Sequence, residues 1–373
     1  MSGANSAARR SVPSVAATQV EFISTPLPAW AWCCAALFAI AVAAISSWIA
    51  ADAPFSMRPT SVSQLVDGAH DDQAHVAARV LAGDASDADV IVYGSSSARE
   101  ALWPEAALEA AVQDLRGERL AIVTLTSSAQ NPIEALFLAT LRPARPGQLY
   151  VLVVGFGTVR ASNVFERLAH GAFLVPPLAL LDDDRYAALV PREWTSTSGR
   201  WLMRWYALRQ WSQRQIRFGF RSWILRELYG IGVAPYDVYR YDGIGSTKVP
   251  DRTLQVNGTR HALKVDFTEK IDAFSRTLDA LAEYVHDRGS ELAIVTAPDF
   301  AHGLRETLPA EHARFLSELG TLATRRGVAV FDWNTTIDWE PADSVDATHA
   351  SAAGRRKWST ALVGWLARRV PVN

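Results

Sequence analysis

The stretch Asp89-Val-Ile-Val-Tyr-Gly-Ser-Ser-Ser-Ala-Arg-Glu100 decides the fold: an apolar run stops abruptly at Gly94, and Ser95, Ser96 and Ser97 follow. Residues 90–93 are β-branched or aromatic with polar residues on either side, which predicts a short buried strand. Gly94 lets the chain turn sharply behind that strand without a Cβ clash. In an open parallel α/β sheet, the loops leaving the strand tips form the crevice where ligands and catalytic groups collect. A serine placed there can present its hydroxyl to solvent. To act as a nucleophile it needs a base, and the base needs an orienting group. Asp346-Ala-Thr-His349, far along the chain, supplies both.

Around this strand the apolar pattern alternates. A helix is expected over residues 72–81 before it and another over 100–115 after it, with Gly117 just beyond the end. Residues 120–126 read as a second strand and Pro132–Leu141 as a helix, Pro132 suiting a first turn. Leu149–Val154 is a third, almost wholly apolar strand that ends in Gly155-Phe-Gly157. Such runs mark parallel strands covered on both faces. The alternation resumes at Asp266, which with Glu269 forms a capping-box pattern before a helix to about residue 287. Glu291–Thr296 is the fourth strand, residues 309–325 a helix, 328–332 the fifth strand and 350–369 the last helix. The expected fold is α/β: a doubly wound, flavodoxin-like, mostly parallel five-stranded sheet with right-handed crossovers. The loops after the first and fifth strands must then meet for serine, histidine and aspartate to form one site.

At 373 residues the chain is long enough to bury a full core, and a net charge of −2 gives no reason to propose a nucleic-acid partner. Both cysteines, Cys33 and Cys34, lie in one apolar stretch, so the remainder has neither a disulfide framework nor a thiolate metal site. Residues 22–51 carry no charge, and 27–51 are dense in Ala, Trp, Phe, Ile and Val. About 20 apolar residues span the hydrocarbon core as a helix. The run is therefore read as an uncleaved transmembrane anchor, with Trp30, Trp32 and Trp48 near its ends. Arg9 and Arg10 precede it and Asp52 follows, which keeps the amino terminus cytoplasmic and exports the rest. The competing reading is a signal peptide cut near Ala51-Asp52-Ala53, although signal cores are usually about 7–15 residues long. Residues 1–26 read as a disordered tail and 52–71 as a linker to a domain over 72–373.

Residues 158–265 break the alternation and read as an insertion with its own structure. Its middle is dense in Arg and Trp. As a helix, residues 200–221 would place Trp201, Trp205, Ile216 and Phe220 on one face and Arg200, Arg204, Arg214 and Arg217 on the other. Four readings stay open: an interfacial helix on anionic lipid, a docking surface for an integral membrane partner, an aromatic sugar-binding rim, or a core-packed helix with a solvated basic face. The histidines other than His349 (His70, His75, His170, His261, His286, His302 and His312) lack metal-ligand spacing and suit surface or loop positions. No phosphate-loop, dinucleotide or zinc motif is present, so neither a cofactor nor a metal is expected.

On these residues the chain resembles the SGNH (GDSL-like) hydrolase superfamily, in particular its membrane-anchored cell-envelope branch of alginate acetylation proteins and DltD. The family nucleophile is the third residue of a Gly-Asp-Ser block, matched by Gly94-Ser95-Ser96 with Arg99 and Pro104 following. The resemblance thus implies Ser96, ahead of Ser95 or Ser97, as nucleophile. It also implies His349 as base and Asp346 as its orienting acid. For the oxyanion it implies a backbone N–H at Ser128, in a position usually held by glycine. The family's oxyanion asparagine is replaced by Gly157, with Asn163 or Asn131 as substitutes from nearby loops. The function so implied is a serine esterase or O-acyltransferase, in the cytoplasmic membrane with its catalytic domain outside. It would take an acyl-ester donor and an envelope glycan acceptor, alongside the lipid bilayer and an integral membrane acyltransferase partner. The alternative is a non-catalytic scaffold that binds glycan or organises a membrane complex.

Overall fold

The computed structural model describes residues 28–56, 76, 79–80, 83–127, 130–141, 145–161, 184–189, 196–199, 227–228, 267–299, 304–346 and 348–369. The chain divides into two units, Met1–Ile45 and Ser46–Asn373.

From Ala29 onward the charge-free run belongs to helix α1, Ala29–Ser56, whose side chains are described as far as Ala44. Trp30, Trp32, Leu37, Phe38, Ile40 and Val42 are all exposed on it. Among the described residues no helix is long and apolar enough to cross a membrane. The transmembrane part of the expected architecture therefore gains no support from the structure.

The second unit is built on five strands: β1 (Val90–Gly94), β2 (Ile122–Thr126), β3 (Leu149–Val154), β4 (Glu291–Thr296) and β5 (Ala329–Phe331). They form one sheet in the order β2-β1-β3-β4-β5, and every pairing is parallel. β1, β3 and the last five residues of β4 are buried along their length, because their apolar side chains serve both faces of the sheet. The two-residue period sorts them. Ile91, Tyr93, Tyr150, Leu152, Leu292 and Ile294 point into one core, and Val90, Val92, Leu149, Val151, Ala293 and Val295 into the other.

Helices cover both cores. After β1 come α2 (Ser96–Ala101) and α3 (Glu105–Arg116), and α4 (Pro132–Leu141) follows β2. α5 (Phe267–His286) precedes β4, α6 (Pro309–Arg326) precedes β5, and α7 (Ala352–Arg369) closes the chain. α4, α5 and α6 lie over the first core, and α2, α3 and α7 over the second. Order and layering are those of a doubly wound sheet, whose direction of winding reverses between β1 and β3.

Two expectations need correction. The single helix over residues 100–115 is two helices, because Pro104 lacks an N–H and restricts the backbone of the residue before it; the chain breaks at Leu102 and restarts at Glu105. His312, placed at the surface by its sequence setting, is buried in α6, with Phe156 edge-on at 5.3 Å between ring centroids. Most of the insertion over 158–265, including the Arg/Trp segment 200–221, lies outside the described residues, as do the Asp266 capping position and most of the helix expected over 72–81. Within the insertion, the short helix Asp184–Ala187 buries Tyr186 in the first core, and Arg185 bonds Glu283 of α5 at 2.6 Å.

Candidate active site

Ser96 is the first residue of α2, directly beyond the carboxyl end of β1. The turn into α2 is held tightly. A Cβ on Gly94 would lie 2.5 Å from Cβ of Ala98 and 3.1 Å from Cβ of Val153, so a larger residue there would push α2 off the sheet. The Gly94 N–H donates to Oε1 of buried Gln130 at 2.7 Å, and the Gly94 carbonyl accepts from Ser127 N–H at 3.0 Å. Nε2 of Gln130 in turn donates to the Leu125 carbonyl at 3.0 Å. Gln130 thus ties the tip of β1 to the tip of β2. No hydropathy pattern marks a glutamine for that work.

Asp346 and His349 come from one loop between β5 and α7. An antiparallel bridge from Ser344 to Ala350 closes it, with Val345 N–H donating to the His349 carbonyl at 2.9 Å. Oδ1 of Asp346 accepts from the Thr348 and His349 N–H groups at 2.8 and 2.9 Å, which aims Oδ2 at the imidazole. Oδ2 lies 2.7 Å from His349 Nδ1, and His349 Nε2 lies 2.9 Å from Ser96 Oγ. With Nδ1–H donating to the carboxylate, Nε2 is left to accept the Ser96 proton, the tautomer that a general base needs. Burial pulls the Asp346 carboxyl upward. Hydrogen bonds from the His349 ring, its charge and the two backbone N–H groups outweigh that and hold the group below its ordinary value. The structure therefore brings Ser96, His349 and Asp346 together as a linear relay at the rim where the sheet's winding reverses.

The residues expected around the oxyanion are placed less completely. Ser128 and Asn163 lie outside the described residues. Gly157 sits in the 3₁₀ turn Phe156–Ala161, beyond the tip of β3, the strand that pairs with β1. Asn131 stands at the start of α4: its Oδ1 accepts the Glu134 N–H at 3.0 Å, and its own N–H donates to Glu134 Oε2 at 3.0 Å. This reciprocal pair caps α4, and the signal for it, Asn131-Pro-Ile-Glu134, stood in the sequence.

A second buried polar group lies on the same edge, beyond β4. Asp299 is 5% exposed, and among the described residues neither carboxyl oxygen has a hydrogen-bond partner; His312 Nε2 lies 3.8 Å from Oδ2. Burial pushes its carboxyl from 3.8 up to about 7, opposed by Arg305 and reinforced by Asp332. Burial also lowers the His312 imidazole. Between the two carboxyl values the folded chain holds a proton that the unfolded chain releases, so stability falls as pH rises from about 4 to about 7. Asp299→Asn removes that dependence. We expect it to stabilise the protein by up to about 4 kcal/mol at about pH 8 and by close to nothing near pH 4, read from denaturant midpoints.

No family model matches the chain, and no curated protein matches it either.

Proposed function

We propose that the protein is a serine esterase or O-acyltransferase acting on acyl esters of a cell-envelope glycan. The observation that carries this reading is the relay from Ser96 Oγ through His349 to Asp346, at 2.9 and 2.7 Å. Ser96 attacks the acyl carbonyl while His349 Nε2 takes the hydroxyl proton. Asp346 keeps the ring in place and stabilises the imidazolium. The tetrahedral oxyanion is held by backbone donors, for which the Ser96 N–H is available because a first-turn N–H has no acceptor within its own helix. Ser128 and Gly157 are the further candidates. As the tetrahedral intermediate collapses, the ester oxygen leaves and takes its proton from His349, giving an acyl-serine. Water or a sugar hydroxyl then gives its proton to His349 and attacks the acyl carbon, and Ser96 Oγ leaves and takes that proton back from His349.

In this proposal the charge-free run with its exposed aromatic residues anchors the domain on the outer face of a cytoplasmic membrane, beside an integral membrane partner that delivers the acyl group. One observation favours the alternative scaffold reading: Gly157 has no side chain to supply the asparagine donor of the resembled family, and loss of one such donor typically costs about 10²–10³ in rate. The 2.9 Å Ser96–His349 contact weighs against it, since a scaffold has no need of that alignment.

Incubating the full chain with an activated acetyl ester should give a burst of leaving group followed by slower turnover. An added sugar acceptor that speeds the slow phase identifies transfer. Turnover no faster than that of Ser96→Ala would overturn the catalytic reading.

A further inference from the structure

We propose that Glu100 and Arg355 are positioning residues: a buried pair that locks the Ser96 helix to the helix following His349 and so sets the Ser96 Oγ to His349 Nε2 contact. This rests on the reading of Ser96 and His349 as nucleophile and base.

The need for such a lock follows from size. α2 has six residues, too few to hold its shape by propensity alone. Ser96 occupies its first position and Glu100 sits one turn later, on the same face. A helix end also leaves its last carbonyls without partners inside the helix. Here α7 supplies them. Arg355 Nε donates to the Glu100 carbonyl at 2.8 Å and Ser359 Oγ donates to the Ala101 carbonyl at 2.9 Å, while Ser359 Oγ also accepts the Trp103 N–H at 2.9 Å. The side chains add a second tie: Arg355 Nη2 meets Glu100 Oε2 at 3.3 Å, and Arg99 Nε meets Glu100 Oε1 at 3.2 Å. Glu100 is fully buried, and Arg99 and Arg355 are nearly so.

The same amino-terminal end of α7 is fixed to the histidine loop. A Cβ on Gly354 would lie 2.1 Å from the Asp343 carbonyl oxygen, and the Asp343 carbonyl accepts the Ser351 N–H at 2.8 Å. The path from Ser96 through Glu100, Arg355 and Gly354 to the loop that carries Asp346 and His349 is thus packed throughout. A buried ion pair is weak support for stability, since apolar residues of similar volume often do as well. Fixing one geometry is what this pair adds.

The test is a cycle of Arg355→Lys and Ser96→Ala in the full chain, with E100Q/R355M as a charge-free control for folding. Lysine keeps the charge but replaces the two separate, rigidly held donors Nε and Nη2 by a single ammonium on a flexible stem. For variants whose thermal midpoints show them folded, Arg355→Lys should lower the rate constant of the acyl burst ten- to a hundredfold and leave KM unchanged. The nitrogen-15 shift of His349 Nε2 should respond to Ser96→Ala in the parent and lose that response in Arg355→Lys. Retention of the parent's burst rate and Nε2 response by folded Arg355→Lys would overturn the proposal. So would a rate loss that only tracks the unfolded fraction. The Nε2 response needs no turnover, so a parent without a burst refutes the catalytic reading while the cycle still decides this one.

Discussion

Ser96→Ala and His349→Ala should each lower turnover of an activated ester by roughly 10⁴- to 10⁶-fold, and the double variant should fall no further than either alone. The two side chains share one hydrogen bond and one step: without Ser96 there is no nucleophile, and without Nε2 its proton loses the acceptor it is bonded to. Neither side chain carries the core. Both are only partly buried at the rim, so thermal midpoints should stay close to that of the parent. A shared loss of midpoint and rate would instead mark the pair as structural.

Asp346→Asn should cost about 10⁴ in rate at neutral pH with the fold retained. The asparagine carbonyl can still accept from the Thr348 and His349 N–H groups, which keeps the loop closed. Its amide, however, places N–H donors where Oδ2 accepted from Nδ1. The ring then favours the tautomer with hydrogen on Nε2, which cannot take the Ser96 proton. The pH sign is set by the same contacts. Because they hold the Asp346 carboxyl below its ordinary value, its contribution to stability is present above the unfolded value and is lost as pH falls through the folded one. Steady-state kinetics and a thermal scan on the same preparation separate the two effects.

Much of the framework is legible in the sequence. Leu149–Val154 begins and ends where its apolar run does, and Glu291–Thr296 extends one residue beyond the apolar run 292–295 at each end, because a strand buried on both faces leaves an uninterrupted hydrophobic signature. Ser96 and the Asp346/His349 pair were legible for another reason: motif chemistry has local spacing even when its parts are 253 residues apart. The short helix α2 was not, since six residues rich in serine carry too little periodicity to register. Nor were Gln130, Glu100 and Arg355, whose value lies in single polar contacts between distant segments. Asn131 carries a helix-end role that was legible too, since Asn131-Pro-Ile-Glu134 has the reciprocal capping spacing and its Oδ1 accepts the Glu134 N–H. The oxyanion loop is the least settled in sequence terms, because a backbone N–H leaves no mark on residue identity.

The most direct test is to quench the full chain with acid during turnover of an activated acetyl ester and locate the acyl group by tandem mass spectrometry. The relay described above predicts an acetyl group on the oxygen of Ser96, absent from Ser96→Ala and greatly diminished in His349→Ala. An acyl group on any other residue, or an adduct that survives Ser96→Ala, would contradict it.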